Sequence, residues 1–204
     1  MATDRSTLFI PPINPDDVIW MGLPVSPEDA LKKWDVDEVK FTNEVNAVLA
    51  HIAASGSNTV FAIPGQVSEG VTFLGFEGKN LDVLKGAIEE CRVVKDEYEI
   101  ALLAKANKVS GAAHRAVMEA AKGADNESVL EGTFIGRCIA QGAKEQSYHG
   151  IFAGGRAAAT LHYDANDKPL AGKQNLLVDA GAEWQCYAAD IVSPVHDAHR
   201  GYGG

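Results

Sequence analysis

Two aspartates interrupt apolar runs near the end of the chain, at positions where a strand normally carries a hydrophobic residue. Asp179 ends the run 176–178, Leu-Leu-Val, and Asp190 ends the run 186–189, Cys-Tyr-Ala-Ala. The two runs flank a turn-like Ala-Gly-Ala-Glu. Two short apolar runs around a turn are typical of a β-hairpin, so the spacing predicts a hairpin here.

The predicted hairpin brings the two carboxylates together. Asp179 and Asp190 are equally far from a centre between Trp184 and Gln185. Directly opposed residues of paired strands point to the same face, so the carboxylates would meet. Two carboxylates that close repel each other, and a divalent cation between them removes the repulsion. The spacing therefore suggests a metal site, with the alternative that each aspartate is only a turn former or a helix cap.

Composition limits the classes of partner. The chain has 204 residues, of which 46% are hydrophobic and 23% charged, as in ordinary soluble globular proteins. A net charge of −10 argues against nucleic acid and anionic membranes as partners. No run reaches the about 20 apolar residues that a membrane span needs, and the N-terminus does not have the pattern of a signal peptide. Cys91, Cys138 and Cys186 are odd in number and widely spaced, which favours reduced thiols in a cytoplasmic protein.

Strands and helices alternate in residues 1–91, which predicts an α/β layer. A long helix is predicted from Asp96, and a second over residues 126–140. Strands are then predicted at 148–152 and at 158–163, followed by the hairpin. The long helix has apolar residues mostly three or four positions apart, which predicts one buried stripe along it: Ile100, Leu103, Ala104, Val109, Ala113, Val117 and Ala121. His114 on the same helix is expected to be partly exposed.

The hairpin sequence LLVDAGAEWQCYAADI resembles the metal-binding hairpin of the M24 metallopeptidases, the pita-bread family. It is most similar to the Xaa-Pro aminopeptidase and prolidase branch, especially the fungal type. The segment ATLHY, which contains His162, resembles the substrate-side histidine strand of that family. Residues 92–99 carry its Arg-x-x-Lys-x-x-x-Glu pattern. The resemblance runs from about Leu8 to Ile191.

The resemblance implies an α/β (α+β) fold in three parts. Residues 1–91 would be the C-terminal part of a creatinase-like N-terminal domain. Residues 92–191 would be the first half of a pita-bread catalytic domain, and residues 192–204 a divergent, disordered tail. The chain would then be a fragment that lacks the start of the first domain and the second half of the catalytic one.

The resemblance also implies a function. The implied protein is a metallo-aminopeptidase that releases the N-terminal residue preceding proline. The implied cofactor is a pair of divalent metal ions, Mn²⁺ by preference, that activate a water molecule. Asp179 and Asp190 match metal ligands, and His162 matches a catalytic hydrogen-bond donor that also binds substrate. Tyr148 and His149 match a segment that lines the substrate pocket. The implied partners are proline-containing peptides or dipeptides, with a homodimer as the oligomeric option.

The sequence departs from the family after Ile191, where one histidine and two glutamate ligands of the family have no match. His196 and His199 could bind a metal, but the glycine-rich setting favours a tail. The alternative function is therefore a catalytically incompetent family member or an interaction module, and efficient peptidase activity is not expected. A third hypothesis, an Mg²⁺ phosphotransferase, finds no glycine-rich phosphate loop to support it.

Overall fold

A computed structural model describes residues 5–56 and 59–196, and the chain divides into two compact units. The first is Met1–Val94 and the second is Lys95–Gly204. This division falls a few residues after the boundary predicted between residues 91 and 92. Each unit is described by itself below.

The first unit contains two small parallel strand pairs with helices between them. β1 pairs with β2, and β3 pairs with β4. Parallel strands need a crossover connection. Helices Pro15–Met21 and Pro27–Lys33 provide it between β1 and β2, whereas residues 62–77, which join β3 to β4, form turns and no helix. In chain order the elements are β1 (Thr7–Ile10), α1 (Pro15–Met21), α2 (Pro27–Lys33), β2 (Glu38–Phe41), α3 (Val45–Ala54), β3 (Thr59–Phe61), β4 (Gly78–Asn80) and α4 (Val83–Cys91).

The second unit combines two helices with an antiparallel sheet. The sheet has the order β5-β6-β9, and β7 and β8 form a separate short pair. A 3₁₀ helix, Gly155–Ala159, follows β5. The elements are α5 (Glu97–Ala120), α6 (Glu127–Ile139), β5 (Ile151–Gly154), β6 (Asn175–Asp179), β7 (Glu183–Trp184), β8 (Tyr187–Ala188) and β9 (Val192–His196).

Helix α5 begins at a reciprocal cap and buries one face. The Asp96 carboxylate accepts from the Glu99 N–H at 2.8 Å, and the Glu99 carboxylate accepts from the Asp96 N–H at 2.8 Å. Further along, the helix packs on α6, β7 and β8. The predicted stripe is buried at Val109, Ala113 and Val117, whereas Ile100 in the first turns is 56% exposed. None of the described helices is long and apolar enough to cross a membrane.

The main core lies between these helices and the sheet. The Phe134 ring on α6 packs against the Phe152 ring on β5, with the ring planes tilted by 57° and the centroids 6.0 Å apart. Leu130 from α6 and Val178 from β6 complete its centre. Fully burying each of these side chains contributes about 1.5–3 kcal/mol. The backbone that carries Asp179 is thus attached to a rigid core.

One strand predicted for this unit is wrong. The strand predicted at 158–163 is absent; the chain instead forms the 3₁₀ helix Gly155–Ala159 and a turn at 161–162. Gly155 has φ +61°, which breaks the extended backbone, and the alanines that follow have little strand preference.

The tail predicted from residue 192 is not disordered over its first five residues, which form β9. This strand lies along β6, where it supplies hydrogen-bond partners to a free edge, and Val195 packs on the core. Pro194 is tolerated because β9 is itself at the edge of the sheet. Residues 197–204, and with them His199, lie outside the described residues.

Candidate metal centre

Tyr148 joins the two aspartates singled out by the sequence. Its hydroxyl lies 2.5 Å from Oδ1 of Asp179 and 3.0 Å from Oδ1 of Asp190. Both carboxylates therefore point to the same face of the hairpin and converge on one phenol oxygen. The sequence predicted the convergence of the aspartates but not that a tyrosine would lie between them.

One phenol proton serves two carboxylates in this cluster. A tyrosine hydroxyl has a single O–H donor, so it can donate to Asp179 or Asp190 at any moment but not to both. Burial raises the pKa of Tyr148, and the hydrogen bonds to the two carboxylates raise it further, so the phenol stays protonated. Two ionised carboxylates beside this neutral phenol leave two negative charges uncompensated, which is the condition that a divalent cation relieves.

The hairpin register differs from the predicted one. β7 and β8 join through the two-residue loop Gln185–Cys186, one position later than expected, and on the same register Asp179 opposes Val192. Direct opposition of the aspartates is therefore wrong. Moving the centre by one residue moves each pairing by two, and side chains alternate with period two. Asp190 consequently stays on the face of Asp179, as its diagonal neighbour.

The loop residues adopt a left-handed backbone. Gln185 has φ +49° and Cys186 has φ +68°. Positive φ at both central positions defines the type I′ turn, which matches the twist of the strands and strongly prefers Asn-Gly. The aromatic pair Trp184 and Tyr187, directly opposed on the two strands, favours the same register.

We expect Gln185→Asn combined with Cys186→Gly to stabilise the chain. Relief of the left-handed strain should contribute about 1 kcal/mol, and the thermal unfolding midpoint should rise by a few degrees. Differential scanning calorimetry measures this. Cys186→Ser is the control, because it keeps a side chain at φ +68° and should leave the midpoint unchanged. A fall in the midpoint of the double variant would contradict the assigned turn.

Tyr148 reaches the aspartates because its segment leaves the sheet. β5 and β6 are in register to the end of β6, and beyond it segment 145–147 pairs with segment 181–183. Residues 148–150 therefore stand opposite Ala180 alone, three residues against one. Such a bulge re-aims side chains, and bulges are common beside functional sites.

Asn166 holds the far end of this bulge. Its amide oxygen accepts from the Phe152 N–H at 2.9 Å, and its amide nitrogen donates to the Gly150 carbonyl at 2.8 Å. Asn166 is buried with φ +45°, a conformation that asparagine tolerates better than most residues. Asn166 was not among the candidate site residues predicted from the sequence, so its part in shaping the site was missed.

The two histidines matched by resemblance are not in contact with the carboxylates. His149 lies in the bulge, is 63% exposed, and donates from Nε2 to the Asp164 carbonyl at 3.0 Å. His162 is exposed in the turn at 161–162 and makes no hydrogen bond within the described residues. A cavity of about 430 Å³ opens beside the bulge, lined by Tyr148, His149 and residues of α6.

The donor set suits a hard divalent cation in kind but is small. Carboxylate oxygens are the ligands that Mg²⁺, Ca²⁺ and Mn²⁺ prefer, and the charge imbalance at Tyr148 fits a cation. Within residues 5–56 and 59–196, however, no group of three or more His, Cys, Asp and Glu side chains is close enough to hold one. Within the described residues, Asp179 and Asp190 are therefore a donor set of two carboxylates.

Comparison with known proteins shows which families the two parts of the chain match. The sequence profile of metallopeptidase family M24 matches residues 101–196, and that of the aminopeptidase P N-terminal domain matches residues 1–61. Residues 101–196 of this chain belong to metallopeptidase family M24. The profile covers the bulge, β6 and the complete hairpin, so Tyr148, Asp179 and Asp190 all lie in the part of the chain that matches the metallopeptidase family.

Two fungal relatives cover nearly all of this chain. A probable Xaa-Pro aminopeptidase of Podospora anserina is 62% identical over 193 residues, and one of Colletotrichum graminicola is 63% identical over 192. Each alignment covers 94% of this chain but 42% of the relative. The chain therefore spans about two fifths of the length of the curated relatives that it matches.

Solved structures confirm the α/β fold. Zinc-substituted Escherichia coli aminopeptidase P in complex with product aligns over 96% of this chain and 47% of its own length. The TM-score is 0.81 at 24% identity. At that identity the match establishes the fold, here a part of the pita-bread aminopeptidase P architecture.

Proposed function

We propose that this chain supplies metal-binding carboxylates to the active site of an Xaa-Pro aminopeptidase, an enzyme that releases the N-terminal residue preceding proline. The observation that carries the proposal is the convergence of Asp179 and Asp190 on the Tyr148 hydroxyl, at 2.5 and 3.0 Å. The names of the fungal relatives, at about 60% identity over nearly the whole chain, support the choice of reaction.

The proposed cofactor is a pair of divalent ions, with Mn²⁺ favoured. Such ions, when bound, act as Lewis acids and lower the pKa of a shared water towards about 7. Asp179 and Asp190 would hold them through oxygen ligands. Tyr148 limits the rotation of both carboxylates, because its hydroxyl lies within hydrogen-bond distance of one oxygen of each.

The substrate side is assigned to three residues. We propose that His162 donates a hydrogen bond to the substrate carbonyl and to the oxyanion formed from it; its exposed side chain has no competing hydrogen bond in the described part of the chain. Removing one such donor costs about 10²–10³ in rate. Tyr148 and His149 would contact the peptide from the wall of the cavity.

The partners proposed are proline-containing peptides or dipeptides, and the oligomeric state proposed is a homodimer. A cytoplasmic location is proposed from the three free thiols of Cys91, Cys138 and Cys186. The Cys138 thiol is buried, and burial raises its pKa to about 11, which makes it unreactive and removes it from any catalytic role.

A second candidate is a catalytically incompetent family member or an interaction module. The observation that favours it is the small ligand set, since no third His, Cys, Asp or Glu joins the two aspartates within the described residues. Two carboxylates can recruit a cation weakly, whereas a dinuclear site needs further ligands to fix both ions. The two candidates differ in turnover, not in metal binding.

We expect the 204-residue chain to bind Mn²⁺ through both aspartates. Titration with Mn²⁺, followed by electron paramagnetic resonance of the free ion, should show binding that weakens at least about tenfold in Asp179→Ala and in Asp190→Ala. Hydrolysis of an Xaa-Pro dipeptide and of an Xaa-Pro-Xaa tripeptide is then assayed on the same samples. Turnover that Asp179→Ala abolishes selects the enzyme, and binding without turnover selects the second candidate.

The control is Asp164→Ala. Asp164 is exposed, and its only hydrogen bond among the residues that the structure describes is accepted by its main-chain carbonyl, which the substitution preserves. Equal Mn²⁺ binding by the wild type, Asp164→Ala and Asp179→Ala would show that surface carboxylates bind the ion and would contradict the proposed site.

A further inference from the structure

Helix α5 presents two polar side chains to the metal hairpin from inside the core. Ser110 and His114 lie four residues apart, which places them on one face of the helix. Ser110 is completely buried and His114 is 3% exposed. The expectation of a partly exposed His114 is therefore wrong. Buried polar groups are costly unless they are hydrogen-bonded, so both need a partner in the hairpin.

Both partners are main-chain groups next to Asp179. His114 Nε2 lies 2.8 Å from the Ala180 carbonyl oxygen. The Ser110 hydroxyl accepts from the Ala182 N–H at 2.9 Å and donates to the Ala106 carbonyl within its own helix at 2.8 Å. The helix is thus hydrogen-bonded to the main chain on either side of Gly181.

These two main-chain groups lack their usual hairpin partners. On the observed register Ala180 opposes Ile191 and Ala182 opposes Ala189, and a regular ladder would give each pair two hydrogen bonds. Each pair makes one, from the Ala180 N–H to Ile191 and from the Ala189 N–H to Ala182. The Ala180 carbonyl and the Ala182 N–H would otherwise remain unpaired, and α5 supplies their partners.

The distortion lies at the level of the metal ligands. Asp179 directly precedes Ala180, and Asp190 opposes Gly181 on the same register. The position of each carboxylate therefore depends on the backbone between Ala180 and Ala182. The hydrogen bonds between the two hairpin strands fix this backbone only in part, because each pair makes one bond and not two. We propose that Ser110 and His114 are positioning residues that set the separation of the two metal-binding carboxylates.

The His114 ring has one defined state in this arrangement. A carbonyl oxygen can only accept, so Nε2 carries the proton and donates it to Ala180. Nδ1 is buried without a partner among the described residues, as an unprotonated nitrogen can be at small cost. The edge-to-face contact with Phe134, centroid to centroid 5.3 Å, holds the ring plane. The imidazole therefore acts as a fixed hydrogen-bond donor.

The test compares four variants of α5. His114→Leu removes the donor, and His114→Gln offers an amide N–H at a similar reach. Val117→Ala is the control, a buried substitution on the same helix without a polar partner in the hairpin. Ser110→Ala is expected to repeat the behaviour of His114→Leu, because it leaves the Ala182 N–H unpaired.

The first measurement is amide hydrogen exchange by NMR, which needs no metal. In His114→Leu the amides of residues 180–191 should exchange about tenfold faster relative to Val178 in β6, since an unpaired buried carbonyl favours local opening. Val117→Ala should speed all amides together, and His114→Gln should restore the wild-type ratio. The ¹⁵N shifts of His114 should show an unprotonated Nδ1 and a protonated Nε2.

The second measurement is Mn²⁺ affinity, and it rests on the proposed function. His114→Leu should weaken binding about tenfold, Val117→Ala should not, and His114→Gln should recover it. A wild-type chain that binds no Mn²⁺ would contradict the proposed function, and hydrogen exchange would still decide the positioning role. Equal exchange patterns in His114→Leu and Val117→Ala, or no rescue by glutamine, would overturn the inference.

Discussion

Gly181→Ala is expected to disrupt the metal hairpin. An added Cβ would lie 1.8 Å from the Ala189 carbonyl oxygen and 3.1 Å from the Ser147 hydroxyl. The first distance is far inside van der Waals contact, and the obstacle is main chain, which cannot rotate away. Hydrogen bonds on both sides fix the segment, from the Ser147 N–H to Gly181 and from the Ala189 N–H to Ala182.

The effect should be large in stability and in metal binding. Separating the hairpin arms would break the Ala182–Ala189 hydrogen bond and open the core behind it, at a cost of about 3–5 kcal/mol, the upper end for a single substitution. Asp190 follows Ala189 directly, so it would move away from Asp179. Urea unfolding followed by circular dichroism measures the first effect, and Mn²⁺ titration measures the second.

The matched control is Gly132→Ala. Gly132 lies inside α6, and an added Cβ meets nothing within 4 Å. Alanine is the better helix former, so this variant should gain about 0.5–1 kcal/mol. If Gly181→Ala unfolded at the same urea concentration as the wild type, the close approach of the two strands at this site would be refuted.

The sequence predicted the face of the two aspartates but not their pairing. The two aspartates lie on one face with either turn centre. The predicted and observed centres differ by one residue, which moves every pairing by two, and side chains alternate between faces with period two. The true turn, Gln185–Cys186, carries no glycine or asparagine, so no local signal identified its left-handed backbone. The opposed aromatic residues Trp184 and Tyr187 were the better guide.

Residues whose role depends on distant partners were misjudged. His114 is polar and is not part of the apolar stripe predicted on α5, so the periodic pattern alone suggests exposure. Its partner, the Ala180 carbonyl, lies 66 residues away along the chain. β9 was taken for a tail because Pro194 and glycines suggest irregular structure. The free edge of β6 that orders it is a property of the sheet and cannot be read from residues 192–196.

Glu127 also depends on partners distant in sequence, and its replacement by glutamine should be strongly destabilising. As the first residue of α6 it resembles an ordinary acidic residue at a helix start. It is instead completely buried, and its oxygens accept from the Tyr163 hydroxyl at 2.6 Å and from the Lys173 ammonium at 3.1 Å. The N–H groups of Gly154 and Lys168 add two further bonds, at 2.8 and 3.0 Å.

Glu127→Gln keeps the shape but turns one acceptor oxygen into a donor. An amide N–H would then face groups that themselves donate, and the ammonium of Lys173 would lose its counter-charge. Breaking such a buried, hydrogen-bonded network costs about 2–4 kcal/mol. Urea unfolding should show this loss, and the control Glu119→Gln, on the exposed face of α5, should show none.

The same carboxylate should also govern part of the acid unfolding. Burial by itself would raise the pKa of Glu127, but the hydrogen bonds from Tyr163, Gly154, Lys168 and Lys173 outweigh it and hold the pKa below its ordinary value. An unfolded chain binds this proton at about pH 4.3, whereas the folded chain binds it only at lower pH. The stabilisation is therefore complete above that pH and is lost as the pH falls through the folded pKa.

The pH dependence separates charge from packing. Between the two pKa values the wild type should lose stability as the pH falls, and Glu127→Gln should lose less, because it has no proton to take up there. The two variants should converge in stability at the acid end of this window. Thermal unfolding midpoints measured from pH 7 downward test this. Parallel curves for the wild type and Glu127→Gln would show that Glu127 contributes by shape alone and that its charge is not stabilised by the four hydrogen bonds.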